Sequence, residues 1–221
     1  MAGTLSLGAS EATAQVWAGP SGPRAGSVEV SAGAAFVGKV PLGDRDAEES
    51  RNINTGSGPF ALFASESTLG AGPAALLRLG VYLSRAVSVE AGVQYGRPRL
   101  STRLSGDVEQ APTVTADETL TRYLIDGSLL LHLTGLSFAG GRGVPFVSAG
   151  GGYLRELHEQ NQLIETGREY HAGGGVKFWM GTGARLGIRV DAGASMRSGG
   201  VDFRTGRRTV PMAAGSVMYR F

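Results

Sequence analysis

An all-β fold, an eight-stranded antiparallel up-and-down transmembrane β-barrel, is predicted by three features of the 221-residue sequence. Hydrophobicity alternates with a period of two along most of the chain. The connections between alternating segments tend to be long and short by turns. The two faces of the segments differ sharply in charge. Period-two alternation indicates strand, because successive side chains leave a pleated backbone on opposite faces.

Applied along the chain, the pattern gives eight segments, at 27–39, 74–84, 86–99, 120–133, 145–158, 165–179, 184–197 and 208–221. The first sets Val28, Val30 and Ala32 against Glu29. The second sets Leu77, Leu79 and Val81 against Arg78. The third sets Val87, Val89, Val93 and Tyr95 against Ser88, Glu90 and Gln94. The fourth sets Ile125, Leu129 and Leu131 against Arg122 and Asp126, and the fifth Val147 and Ala149 against Glu156. The sixth sets Val176 and Phe178 against Lys177, and the seventh Ile188 and Val190 against Arg189 and Asp191. The eighth sets Val217 and Tyr219 against Arg220. No segment carries a helical stripe, and no solenoid or propeller period recurs.

The first connection (40–73) and the third (100–119) read as long polar loops. The second, near Ser84-Arg85-Ala86, and the sixth, near Gly181-Thr182-Gly183, are tight turns. The fifth turns near Asn161-Gln162 and the seventh, 198–207, is polar. Long odd and short even connections suit an up-and-down barrel with one rim elaborated and the other trimmed. The intermediate fourth connection, 134–144, and the fifth weaken that rule.

Composition excludes several classes. Cysteine is absent, which removes disulfides, thiolate metal sites and cysteine nucleophiles. Glycine contributes 36 residues, about twice the usual share, without the strict period of collagen. Net charge is +2 and no long basic run occurs, so no nucleic-acid partner is expected. The longest uncharged stretch in the body, 127–141, is glycine-broken and shorter than the roughly 20 residues of a membrane helix. Residues 1–26 read as a leader, either an export-signal remnant with a small-x-small site at Ala12-Thr13-Ala14 or a periplasmic extension. Residues 27–221 form the barrel.

The charged face carries Glu29, Glu90, Asp126, Glu156 and Asp191 against Arg78, Arg122, Lys177, Arg189 and Arg220. A lipid-facing Arg or Lys at mid-membrane costs about 2–4 kcal/mol. Ten such charges would exceed the roughly 5–15 kcal/mol that holds a domain together. In a membrane barrel these residues therefore point inward and pair. Phe36, Tyr82, Tyr95, Tyr123, Phe146, Phe178, Trp179 and Tyr219 fall near strand ends, where amphipathic rings suit a membrane interface.

Strand number, loop alternation and the final strand resemble the small eight-stranded outer-membrane barrels of Gram-negative bacteria, the OmpA- and OmpW-like barrel domains. The resemblance covers about residues 27–221. Val217, Tyr219 and Phe221 match the alternating, aromatic-terminated last strand that the barrel-assembly machinery recognises in that family. Its glycine falls at Gly215 rather than 216, and Ala214 replaces a polar residue. The resemblance implies an integral bacterial outer-membrane location, periplasmic termini, and lipid and lipopolysaccharide as surroundings. Arg204, Arg207 and Arg208 are candidate contacts to lipopolysaccharide phosphates, because guanidinium binds phosphate in bidentate fashion.

No catalytic, cofactor or metal site is expected. His132 shares a face with Asp126 and Ser128, but Asp126 and His132 lie roughly 20 Å apart along one strand. The His-Ser pair of barrel deacylases is absent, and the histidine-bearing rim of palmitoyl-transferring barrels has no counterpart in the first loop. Gly150–Gly152 and Gly173–Gly175 lack the Lys-Ser/Thr and helix of a phosphate loop. Opposed across a hairpin, they would make room for long lumen side chains. Asp44, Asp46, Glu48 and Glu49 lack a calcium-loop pattern and read as solvated loop charge.

The expected role is non-enzymatic: structural support, adhesion or envelope anchoring through the rim loops, with an envelope protein as partner. One alternative is a narrow channel or transporter for small hydrophobic molecules, lined by Leu76, Leu124 and Leu130. The other is a soluble ligand-binding calyx.

Overall fold

The computed structural model describes residues 23–49, 60–107, 112–158, 163–181, 183–201 and 207–221, with only backbone described at 45–49 and 60–61. Twelve strands follow in order. They are β1 (Val28–Val37), β2 (Val40–Glu49), β3 (Phe60–Leu69), β4 (Gly72–Tyr82), β5 (Val87–Gly96) and β6 (Arg99–Ser105). Then come β7 (Val114–Thr119), β8 (Thr121–His132), β9 (Gly143–Leu157), β10 (Ile164–Met180), β11 (Leu186–Gly199) and β12 (Arg208–Arg220). Eight of them close an antiparallel barrel in the order β1-β12-β11-β10-β9-β8-β5-β4. The remaining four form a second sheet, β2-β3-β6-β7. Helical structure among the described residues is one 3₁₀ turn at Thr134–Leu136.

Alternation in sequence becomes alternation in burial. Along β5, Ser88, Glu90, Gln94 and Gly96 are buried while Val89, Ala91, Val93 and Tyr95 are exposed. The apolar side of every barrel strand faces out and the polar side faces in. β1 closes the ring by pairing with both neighbours, Glu29 opposite Arg220 on β12 and Val28 opposite Val81 on β4. Eight strands leave an interior just wide enough for side chains to fill.

The two ends differ. At one end lie the short β4–β5 and β10–β11 turns and the β8–β9 connection. The first and last described barrel strands are fastened there by Gly26 N–H to Tyr82 carbonyl and Phe221 N–H to Val28 carbonyl hydrogen bonds of 2.8 and 2.9 Å. The β8–β9 connection turns back through Ala139, Gly140 and Gly141, all at left-handed φ. The other end carries the second sheet. The connections at 40–73 and 100–119 therefore hold strands where long loops are predicted. Val40 and Leu42 on β2, Leu69 opposite Val40 and Leu100 opposite Leu69 bury with Leu120, Val201 and Val210 in one apolar cluster over the barrel mouth. Their chain neighbours Lys39, Pro41 and Arg99 stay exposed. The predicted segment at 86–99 breaks at Pro98, whose carbonyl accepts from Leu120 N–H, and continues as β6. The turn predicted at Asn161-Gln162 lies outside the described residues.

The two glycine runs do not oppose one another. The β9–β10 register sets Gly150, Gly151 and Gly152 against His171, Tyr170 and Glu169, and sets Gly173–Gly175 against Ser148, Val147 and Phe146. Gly150 makes room for specific neighbours. A Cβ there would strike the Gly127 carbonyl and come within 2.6 Å of His171 Nε2 and 2.7 Å of Ser128 Oγ. A Cβ on outward-facing Gly127 would meet only the Glu90 carbonyl, at 3.9 Å. Gly150→Ala is expected to lower unfolding free energy by about 1–3 kcal/mol through overpacking. Gly127→Ala is expected to change it by less than about 0.5 kcal/mol. Urea unfolding of the refolded barrel in lipid vesicles, followed by tryptophan fluorescence, checks both.

Candidate functional site

The barrel interior is the most chemically distinctive region of the molecule. Glu90 on β5 lies between two cations from β10 and β11: Lys177 Nζ donates to it at 3.1 Å and Arg189 Nη1 at 2.7 Å. Lys177 also donates to Glu29 on β1 at 2.7 Å. Arg189 reaches Asp191 at 3.2 Å, and Asp191 accepts from Arg78 on β4 at 3.0 Å. Glu29, Lys177, Glu90, Arg189, Asp191 and Arg78 thus form one continuous chain across the lumen. Lys177 is 1% exposed and Arg189 3%, so these charges are screened by one another rather than by water.

Two further pairs lie nearer the extended end. Arg122 donates to Glu169, and Arg197 to Glu156 at 2.6 Å, where Val201 N–H also donates to Glu156 at 2.8 Å. Glu169 and Arg197 are outside the predicted set. Their signal was parity: Glu169 stands an even number of residues from Lys177, and Arg197 from Arg189. Arg220 stacks its guanidinium 4.6 Å from the Trp179 ring centre. Asp126 lines a cavity of about 30 Å³ with Ser128, His171, Arg78 and Arg189, a volume that suits about two waters. The ten predicted lumen charges all project inward, and eight of them fall within these ion-paired groups.

Aromatic rings are part of the filling, which corrects the expected interfacial role of three of them. Tyr82, Phe146 and Trp179 are 2%, 2% and 1% exposed and point inward. Tyr82 donates its hydroxyl to Glu29 at 2.9 Å and stacks on His132 at 5.1 Å. Arg189 sits 4.5 Å over the Phe146 ring. Each ring occupies the inward parity of its strand, which outweighs its place near a strand end. Phe36, Tyr95, Tyr123 and Tyr219 are exposed on the outer wall, and Phe178 is half-buried there.

The histidines are distributed differently from the grouping the sequence invites. His132 bonds Ser88 on the adjacent strand at 2.9 Å, while Ser128 bonds His171 at 2.8 Å across the space that Gly150 leaves. Apolar layers close both ends of the polar lumen. Val40, Leu42, Leu69, Leu100, Leu120, Val201 and Val210 lie at the extended end, and Trp179, Ala184 and Met218 at the turn end. Leu76 packs with Ala35 and Ala214; Leu76 and Leu124 also line the cavity beside Asp126, and Leu130 is buried.

The remaining predicted residues lie on the surface or the rim. Val217, Tyr219 and Phe221 face outward at the turn end, with the Tyr219 and Phe221 rings edge to face at 5.0 Å. Arg204 lies outside the described residues, and Arg207 is exposed. Arg208 has the inward parity of buried Val210. It donates to the Leu42 carbonyl at 2.9 Å, which turns it toward the mouth rather than the outer wall. Of the predicted acidic loop group, Asp44 is exposed on β2, and the side chains of Asp46, Glu48 and Glu49 lie outside the described residues. No cluster of three or more metal-ligating side chains occurs among the described residues.

No protein-family model and no curated protein sequence matches the chain. Solved structures do. The outer-membrane protein OprG from Pseudomonas aeruginosa superposes with a TM-score of 0.53 at 11% identity, covering 90% of this chain and 98% of OprG. AlkL, an outer-membrane protein solved by solid-state NMR in DMPC bilayers, gives 0.48 at 15% identity, over 92% of this chain and 94% of AlkL. Ail, the attachment invasion locus protein of Yersinia pestis, gives 0.41 at 12% identity, over 89% and 99%. The fold is that of the small eight-stranded outer-membrane barrels.

Because Glu90 is shared by two cations, its removal leaves both without their central anion. Glu90→Ala is expected to cost about 3–5 kcal/mol, the range for breaking a buried ion pair from one side. A substitution at exposed Asp117, whose partner Arg99 is 3.9 Å away at the surface, is expected to cost under about 1 kcal/mol. Denaturant midpoints of the two variants in vesicles test the contrast.

Proposed function

We propose that the chain is an integral, non-enzymatic β-barrel of a bacterial outer membrane. In this reading it serves as a sealed membrane anchor that presents its second sheet as a structural or adhesive contact surface. One observation carries the proposal: the inside and outside of the barrel have exchanged the polarity of a water-soluble protein. Leu77, Leu79, Ile125, Leu129, Val147, Ile188, Val190 and Val217 are each more than two-fifths exposed around the wall, while the carboxylates and arginines are buried inside. Soluble monomers rarely expose contiguous apolar patches beyond a few hundred Å². Hydrocarbon removes that cost, and the closed ladder leaves no strand edge within it.

The lumen argues against a transport role. Ion pairs span it, apolar layers cap it, and the cavity beside Asp126 suits only about two waters. The Ser128–His171 pair borders only the small cavity beside Asp126, which supports a non-catalytic reading. A calyx needs an apolar cavity where this barrel holds charge.

Function then falls to the extended end. The outer face of β2-β3-β6-β7 holds a shallow groove of about 370 Å³ lined by Lys39, Glu66, Thr68, Arg99, Ser101, Arg103 and Thr115. Its mixed charge suits a polar envelope or surface partner. In this orientation the sheet faces outward and the short turns face the periplasm. Val217, Tyr219 and Phe221 are then presented along the outer wall to the barrel-assembly machinery.

The chain is expected to fractionate with outer membranes and to migrate differently on a gel before and after boiling. In planar bilayers it is expected to give no steady conductance. Recovery in the aqueous fraction without detergent would overturn the membrane reading, and stable single-channel steps would overturn the sealed-anchor reading.

A further inference from the structure

Charge is sorted by face along the barrel strands. Every Asp and Glu in them, namely Glu29, Glu90, Asp126, Glu156, Glu165, Glu169 and Asp191, has the inward parity. Two charged residues have the outward parity, Arg155 on β9 and Arg168 on β10, and both are exposed near the extended end. Among the described residues, neither arginine makes a side-chain hydrogen bond or ion pair.

Register brings the two together. Arg155 lies opposite Thr166, and Arg168 is two residues further along the same strand. That diagonal separation is about 7–8 Å in a sheet, within reach of long side chains. Tyr123 pairs directly with Arg155, and Tyr153 with Arg168, so rings and guanidinium groups alternate on adjoining strands. Tyr95 extends the aromatic row, its ring 5.2 Å from that of Tyr123. Two neighbouring cations repel unless an anion sits between them, and paired guanidinium groups suit a phosphate.

We propose that Arg155 and Arg168, flanked by Tyr123 and Tyr153, bind the phosphate of a phosphorylated glycolipid in the leaflet beside the extended end. The site rests on the membrane reading above and adds a partner to it. A lipid fits better than free phosphate because the wall directly below is apolar, with exposed Ile125 and Leu129 able to receive an acyl chain. The patch is also one-sided. Across the barrel, β1, β4 and β12 present Ala32, Ala34, Ala75, Ala213 and Gly215 outward with no base of their own, and the cation that borders Ala34 and Ala75, Arg97, has no second arginine set diagonally to it in the strand register. The site therefore takes about one lipid rather than a ring of them.

The test uses the folded full chain in neutral detergent, with native mass spectrometry counting bound lipid. The probes are bisphosphorylated lipid A, its dephosphorylated form and inorganic phosphate. About one lipid A per barrel is expected, with the dephosphorylated form and free phosphate each at least about tenfold weaker, as loss of a charged hydrogen bond implies. The double variant Arg155→Gln/Arg168→Gln is expected to weaken lipid A binding by about tenfold or more. Arg142→Gln, at the turn end, is expected to leave it unchanged. Equal binding of both lipid forms, or no effect of the double variant, would overturn the site. So would free phosphate binding as tightly as lipid A. Gel mobility before and after boiling is read on the same samples. A retained shift with no phosphate dependence sinks the site alone, whereas loss of the shift in the wild-type chain sinks the membrane reading with it.

Discussion

The carboxylate of Glu90, held between Lys177 and Arg189, is the contact around which the lumen is arranged. Moving a charge out of water costs several kcal/mol, and mutual attraction offsets this only where geometry and hydrogen bonding are good. Here one acid serves two bases, each base reaches a second acid, and aromatic faces cover what remains of the cations. Removing water from the ends strengthens the attraction further, because the apolar layers at the mouth and the base keep the local dielectric low.

That arrangement determines the rest of the molecule. A barrel of eight strands has volume for one layer of long side chains. Once charges and rings fill it, cavities of about 20 and 30 Å³ remain among the described lumen residues. The apolar half of each strand then has nowhere to go but outward. Glycine belongs to the same accounting: at Gly150 the missing Cβ is what lets Ser128 and His171 meet across β9. Chemical variety is left to the ends and to the outer wall.

Parity makes much of this legible in the sequence alone. Lys177, Arg189 and Glu90 each stand between apolar neighbours, so their inward face follows from the alternation alone. Glu169 was harder to read because the glycines between it and Lys177 give no hydrophobic signal. Trp179, Phe146 and Tyr82 read as interfacial when judged by their distance from a strand end, and as interior when judged by parity. The second sheet was obscured by Gly43, Asp44 and the acids that follow. Which base meets which acid was not legible at all. Partner choice depends on strand stagger and on contacts across the lumen, and neither is written into any single segment.

Sequence separation within the lumen has a consequence for biogenesis. Glu29 and Lys177 are 148 residues apart, Arg78 and Asp191 113, and Glu90 and Arg189 99. None of these contacts can form by local folding, and such long-range contacts make folding slow. A partly zipped sheet lying in hydrocarbon would hold its guanidinium and carboxylate groups open to lipid. In the proposed membrane setting, insertion and completion of the cylinder are therefore expected to be coupled, with the pairing of β1 to β12 closing the ring.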